Sequence, residues 1–442
     1  MKRFVAALLG AILLGCGVTG CTGAAGEPFE TVGYFIFRPM DETSLDFYVA
    51  SGYNMVEYCD VSWYYRADSM ALESYQQGMR ENIILAKEKG LKTYVAILSN
   101  LTQWEGESES GNPMGLAFDP ANEAEMAKRM GHIRQAVEAF RDADGFTFYA
   151  GDPGGVLGIS GEGGLHYYIE MAREVKAIVN EVAPDTTFNL NLWAVSQFVR
   201  DVCNPAKAEF WVAEGTNARA IIAEEDLLGP DVGIELPGHD YYRMLALQLY
   251  TETGIKPEKK FPMAEDVENI RNTGCTRYWA YPHGIIPDIT DSLQINTQRI
   301  KYYLDEMRKI GMNGAIIGNV SYSSQNADLY TFARLAQDPS LTVEDVLYEF
   351  AQILTEDDTS ARTLCEIFKY LDNYQAEDNR RVGKEYRLPL LDTRITGVNH
   401  ALEEFQAIRP AENPDFPLAD QPIIYLEKVR NRLYEIKREL RE

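Results

Sequence analysis

Gly145-Phe146-Thr147-Phe148-Tyr149-Ala150-Gly151-Asp152-Pro153-Gly154-Gly155 is a short β-favouring run that stops in a glycine- and proline-rich turn. Five residues from Gly145 to Tyr149 predict a strand. Asp152 then stands between Gly151 and a Pro-Gly-Gly turn. Glycine allows close approach of backbone or ligand, and proline fixes the turn, so one carboxylate is held at a rigid strand end. The plain alternative is a turn aspartate that bonds its own backbone. The neighbouring chain decides between them.

Upstream, Val32–Phe37, Met55–Tyr58 and Lys92–Leu98 predict three strands, with helices ending near Ser51 and spanning Tyr75–Lys89, the latter capped by Gly90. Pro120–Phe140 predicts a long helix with proline in its first turn. Downstream come a helix at Leu165–Val182, a fifth strand at Thr187–Trp193 and a sixth at Phe210–Glu214. Val232–Leu236 is a seventh strand or part of an insertion. Helices at His239–Thr253, Glu265–Asn272 and Ile295–Ile310 alternate with strands at Arg277–Ala280 and Gly314–Gly318. This repeated βα pattern predicts a parallel α/β fold, a (β/α)8 TIM barrel, followed by an all-α C-terminal domain. An open doubly wound sheet is the alternative, but no GxGxxG or GxxxxGK[ST] follows any strand. Beyond Ser324 only helical patterns remain, at Val343–Leu354, Ala361–Gln375 and Pro422–Arg441.

The N-terminus reads as a processing segment. Lys2-Arg3 precedes an apolar run from Phe4 to Leu14 that is short for a bilayer span. Leu13-Leu14-Gly15-Cys16 and Val18-Thr19-Gly20-Cys21 both resemble the site at which a bacterial lipoprotein is cleaved and lipidated. Cys21 is favoured because it leaves a small-residue tether; Cys16 is the alternative. The expected organisation is therefore a signal peptide over 1–20, a tether over 21–30, the barrel over 31–324 and the helical domain over 325–442. The expected location is the cell envelope, with the membrane touched only through the lipid.

The net charge of −25, from 42 basic and 67 acidic residues, disfavours nucleic acid as a partner, because that surface needs clustered Lys and Arg. The remaining cysteines, Cys59, Cys203, Cys275 and Cys365, are scattered and show no zinc-type spacing. With only five histidines, a histidine-rich metal site is not expected, and no cofactor is expected either.

A (β/α)8 barrel works at the C-terminal ends of its strands. The polar and aromatic residues expected there are Glu57, Tyr58, Asn100, Asp152, Asn189, Asn191, Trp193, Glu214, Tyr281, His283, Asn319 and Tyr322. Carboxylates with Asn, Tyr, Trp and His and little Lys or Arg suit a sugar, whose hydroxyls meet polar side chains and whose apolar faces meet aromatic rings. Phosphate would call for Lys, Arg or a glycine loop entering a helix. A serine hydrolase would call for GxSxG, which is absent. Glycoside cleavage needs one carboxyl to protonate the leaving oxygen and another to act as base or nucleophile. Asp152 is expected as the acid and Glu214 as its partner, with exchangeable roles and Glu57 third. Each has a plain structural alternative, such as a helix cap for Glu214 or a buried ion pair for Glu57.

Asn326-Ala327-Asp328-Leu329-Tyr330-Thr331-Phe332-Ala333-Arg334-Leu335-Ala336-Gln337-Asp338-Pro339-Ser340-Leu341-Thr342 resembles a junction in bacterial glycosidases of the α-glucuronidase and hexosaminidase-like sort. There a Tyr/Phe-x-x-x-x-Leu-Ala-x-Asp-Pro-x-Leu segment leads from the last barrel strand into a C-terminal helical domain. The resemblance covers this junction and the order of barrel then helices. It implies catalytic residues at the strand ends. Asp152 corresponds by position only, where the family often carries a glutamate or an Asp-Glu pair. The expected function is glycoside hydrolysis of an oligo- or polysaccharide by a lipid-anchored protein. The alternatives are a non-catalytic glycan-binding lipoprotein on the same fold and a metal-using barrel hydrolase.

Overall fold

Eight parallel strands close on themselves in chain order: β1 (Thr31–Ile36), β2 (Met55–Cys59), β3 (Lys92–Leu98), β4 (Gly145–Tyr149), β5 (Thr187–Asn191), β6 (Val232–Pro237), β7 (Tyr278–Tyr281) and β8 (Gly314–Gly318), which pairs back with β1. The computed structural model describes residues 26–103, 116–150, 164–193, 217–224, 226–237, 261–281, 296–318, 326–355, 357–372, 384–408 and 422–442. Helices α1 (Glu42–Ser51), α2 (Met70–Glu88), α3 (Glu123–Ala139) and α4 (Gly164–Val182) follow the first four strands. Residues 217–222 are helical between β5 and β6. Then come α5 (Ala264–Asn272), α6 (Thr297–Lys309) and α7 (Asn326–Gln337). The (β/α)8 barrel expected from the sequence is the observed fold.

One strand assignment needs correction. β5 pairs directly with β6, Asn189 with Gly233 and Asn191 with Glu235, and the Leu192 amide donates to the Glu235 carbonyl at 2.9 Å. The sixth place in the barrel therefore belongs to Val232–Pro237, and Phe210–Glu214 has no place between them. Phe210–Glu214 itself lies outside the described residues, as does the helix expected at His239–Thr253. The start of α3 also shifts. Asn122 caps it, accepting from the Ala124 and Glu125 amides, so Pro120 precedes the helix.

Strand periodicity sorts the side chains into two cores. Outward residues such as Tyr34, Val56, Tyr58, Val95, Phe146, Phe148, Leu190 and Ile234 pack under the helices. Inward residues including Phe35, Met55, Cys59, Tyr94, Ala96, Tyr149, Trp279, Tyr281 and Ile316 form a separate cluster within the barrel. Large inward rings need gaps opposite them. A methyl on Gly145 would overlap the Tyr94 ring and the Thr187 hydroxyl, and one on Gly233 would overlap the Asn189 amide. The Tyr94 ring cannot swing away, because the Thr187 hydroxyl donates to its oxygen at 2.9 Å and the Trp279 ring meets it edge-on at 5.4 Å. Gly145→Ala is expected to destabilise the barrel by about 1–3 kcal/mol through overpacking, read as a lowered urea midpoint with unchanged slope.

The helix after β8 closes the ring. α7 packs against α6, α1, β1 and β8, which is the place of the eighth barrel helix. Barrel structure therefore continues to Gln337, past residue 324. A capping box between Thr342 and Asp345 then opens α8 (Val343–Leu354), which pairs with α9 (Asp358–Asp372). α10 (Lys384–Ile408) and α11 (Pro422–Arg441) form a second pair joined to the first through α9. The chain enters at the opposite end of the barrel from the strand C-termini. There the Phe29 amide donates to Ala336 O at 3.1 Å, the Glu30 amide to Asn313 O at 3.0 Å, and the Arg308 guanidinium covers the Phe29 ring at 4.6 Å. Among the described residues no helix is long and apolar enough to cross a membrane.

Candidate functional site

Glu57 and Glu235 share the barrel axis. Each is inward on its strand and has 0% exposure. Thr147, inward on β4, bridges them: its hydroxyl contacts Glu57 Oε1 and lies 3.0 Å from Glu235 Oε1. Glu235 also accepts from Asn191 Nδ2 at 2.7 Å and from Asn189 Nδ2 at 3.3 Å. Glu57 Oε2 meets no hydrogen-bond partner among the described residues.

This arrangement raises both carboxyls, one more than the other. Burial raises the Glu57 carboxyl well above the usual carboxylate range, and the neighbouring Glu235 charge adds to the effect. Burial also raises Glu235, but hydrogen bonds from Asn191, Thr147 and Asn189 draw it back. Of the two, Glu57 is raised further and is the more readily protonated. A threonine hydroxyl has one hydrogen to donate. The direct hydrogen bond between the two carboxyls acts the same way, raising Glu57 and lowering Glu235, while the Thr147 hydroxyl has its one hydrogen for either.

A pH dependence follows. The Glu57 value is raised above its ordinary 4.5. Its proton-linked stability is thus fully present below that ordinary value and lost as pH rises through the folded-state value. Glutamine mimics the protonated acid and carries no such dependence. Glu57→Gln should match the natural protein near pH 4 and become progressively more stable than it toward pH 8, by thermal unfolding at both pH values. A difference that does not vary with pH would place the charge on Glu57.

The asparagines extend the network in both directions. Arg277, at the N-terminal end of β7, donates to Asn189 Oδ1 at 3.3 Å and to the Asp231 carbonyl at 2.8 Å. Asn191 Oδ1 accepts from the Trp193 amide at 2.8 Å. Nearer the C-terminal ends of the strands the lining turns aromatic. Tyr149 and Trp193 stack with centroids 5.4 Å apart and planes 10° apart. Tyr281 meets Phe35 edge-on at 5.7 Å and Tyr149 at 6.2 Å. The rim at β3 is pinned. Buried Arg129 donates to the Leu98 and Ser99 carbonyls, and the Ser99 hydroxyl donates to Ala150 O at 3.0 Å. Burial lowers the Arg129 guanidinium to about 10.

Among the expected site residues, Glu57, Asn189 and Asn191 meet in the axial network, Trp193 and Tyr281 in the aromatic layer, and Asn100 is buried at the end of β3. Tyr58 does not join them. It follows an inward residue on a strand of period two, so it faces the helices and packs in the outer core. Asp152, Glu214, His283, Asn319, Tyr322, Cys16 and Cys21 lie outside the described residues. The sequence reading missed Thr147 and Glu235. A glutamate at every-other spacing from Gly233 and Pro237, between Ile234 and Leu236, was the available signal for an inward acid.

No family model and no curated protein matches the sequence. The chain is similar to a number of solved structures, three of which follow. For CpGH84B the TM-score is 0.48 at 14% identity, over 94% of this chain and 69% of that one. For a mutant of the Thermobaculum terrenum O-GlcNAc hydrolase it is 0.47 at 13% identity, over 95% and 83%. For a Bacteroidetes-affiliated GH5 cellulase linked with a polysaccharide utilization locus it is 0.46 at 11% identity, over 72% and 94%. These are likenesses of overall fold; the site is read from the residues above.

Proposed function

We propose that this protein is an exported, lipid-anchored glycoside hydrolase acting on an oligo- or polysaccharide at the C-terminal end of the barrel. The observation that carries the reading is the set of rings from Phe35, Tyr149, Trp193 and Tyr281 gathered at that end, next to amides and carboxyls on the axis. Rings offer apolar faces to a sugar, and the enclosed Asn and Glu side chains beneath brace them, as Asn191 does through the Trp193 amide. Asp152 follows β4 by three residues in sequence, and β4 ends at a rim tied down by Ser99 and Arg129. In this reading Asp152 and Glu214 supply the acid and the base or nucleophile, with water as the only co-reactant. Glu57 and Glu235 are fully enclosed, so their part is to hold the floor of the site.

That enclosure favours one second reading, a glycan-binding protein without turnover, because the two carboxyls on the axis do not reach a ligand. Incubation of the full chain with a panel of neutral and acidic glycans, with release of reducing ends recorded, separates the readings. Release from at least one glycan supports hydrolysis; binding with no release across the panel supports the second. The anchor is placed on Cys21, with Cys16 as the alternative. Radiolabelled palmitate should enter the natural chain and be lost on substitution of the modified cysteine.

A further inference from the structure

An exposed aromatic step stands beside the mouth. β2 runs out at Cys59 into Asp60-Val61-Ser62-Trp63-Tyr64, with one 3-10 turn at Ser62–Tyr64. Asp60 builds this turn. Its carboxylate accepts from the Ser62 amide at 2.9 Å and the Ser62 hydroxyl at 2.7 Å, and its carbonyl accepts from Trp63 Nε1 at 3.1 Å. The Asp60 amide donates to Ala96 O at 2.8 Å, tying the turn to β3. Tyr75 of α2 accepts from the Val61 amide at 3.0 Å. A segment held this way presents its side chains already ordered, so a ligand loses little free energy in fixing them.

On this frame Trp63 and Tyr64 stack face to face, with centroids 3.9 Å apart and planes 27° apart. Trp63 is 5% exposed and Tyr64 45%. The buried ring belongs to the same cluster as Phe35, Tyr149, Trp193 and Tyr281. Half-buried Phe37 meets Phe35 edge-on at 5.1 Å and packs against that cluster. Buried aromatic packing thus connects Trp63 and Phe37 to the rings at the C-terminal end of the barrel. A half-exposed tyrosine on a rigid turn, stacked on a ring of that cluster, is surface disposed for contact rather than for core packing.

Building on the carbohydrate reading, the geometry points to Tyr64, backed by Trp63, as a platform for a pyranose unit of a neutral glycan, outside the reaction centre. A pyranose whose hydroxyls are equatorial exposes a patch of axial C–H groups. That patch lies flat on an aromatic face, while the phenol oxygen reaches a hydroxyl. The net charge of −25 opposes a uronate or sulfated chain.

Calorimetric titration of the full chain with cellohexaose, chitohexaose and a hexagalacturonate, with hydrolysis recorded in parallel, tests this. The natural protein should bind at least one neutral hexaose and not the acidic one. Tyr64→Ala should weaken that binding about tenfold, Tyr64→Phe should bind nearly as the natural protein does, and Tyr434→Ala, on a distant helix, should change nothing. An unaltered unfolding midpoint for Tyr64→Ala confirms an intact fold. Unchanged affinity in Tyr64→Ala, no binding of either neutral hexaose, or preference for the hexagalacturonate overturns the platform. A hexaose that is bound through Tyr64 but never cleaved keeps the platform and removes the hydrolase reading. A hexaose cleaved with the same KM in Tyr64→Ala does the reverse.

Discussion

Asp152→Asn is expected to cut turnover of a confirmed glycan by about 10²–10⁴-fold, the usual range for removing a positioned acid or base, while leaving the unfolding midpoint in place. Asparagine keeps the shape and most of the hydrogen-bonding capacity of aspartate but cannot release or take up a proton at neutral pH. The strand beneath is secured independently of that side chain. Phe146 and Phe148 are fully buried in the outer core, β4 is registered against Leu98 and Asn191, and Ala150 is held by Ser99. Glu214→Gln should act on rate in the same way. Stopped assays on the natural protein and both variants, alongside urea unfolding, check this. Full activity in both variants would remove the two carboxylates from the mechanism and assign the acid and the base to other residues.

Glu235→Ala has the opposite profile, a loss of about 3–5 kcal/mol of stability. Removing this carboxylate strands the Asn191 and Asn189 amide groups and the Thr147 hydroxyl in a sealed interior, and opens a void on the axis. Such a loss is a large share of the roughly 5–15 kcal/mol that holds a typical domain folded. Denaturant titration should therefore show a markedly lower midpoint. The Glu57→Gln variant provides the contrast, since it changes an acid of the same cluster and is expected to gain stability at neutral pH. Equal losses in the two variants would mean that the proton is not placed on Glu57.

The contrast between rim and axis also explains what the sequence could convey. Gly145–Tyr149, Lys92–Leu98 and Val343–Leu354 have the observed bounds, because local periodicity and turn residues define them. Phe210–Glu214 and Val232–Leu236 carry comparable β-favouring residues. Only the pairing of β5 with β6 decides which one enters the barrel, and that is a property of closure. Asn122 rather than Pro120 begins α3, since a side chain that satisfies two amides outweighs a preset φ. The axial cluster was hardest to foresee. Thr147 and Glu235 are 88 residues apart, and their contact depends on registers across intervening strands. Asn189 and Asn191 were recognised as polar strand residues, but their carboxylate partner was hidden in a segment read as a possible insertion.

The stitching of Phe29 and Glu30 to Ala336 and Asn313 fixes where the chain leaves the barrel, at the face opposite the aromatic mouth. If Cys21 carries the lipid, the seven residues from Thr22 to Pro28 separate it from the first stitched residue, a reach of at most about 25 Å. So short a leash keeps the N-terminal face toward the bilayer and turns the mouth outward. Long, insoluble or surface-bound chains could then be engaged without threading between protein and membrane.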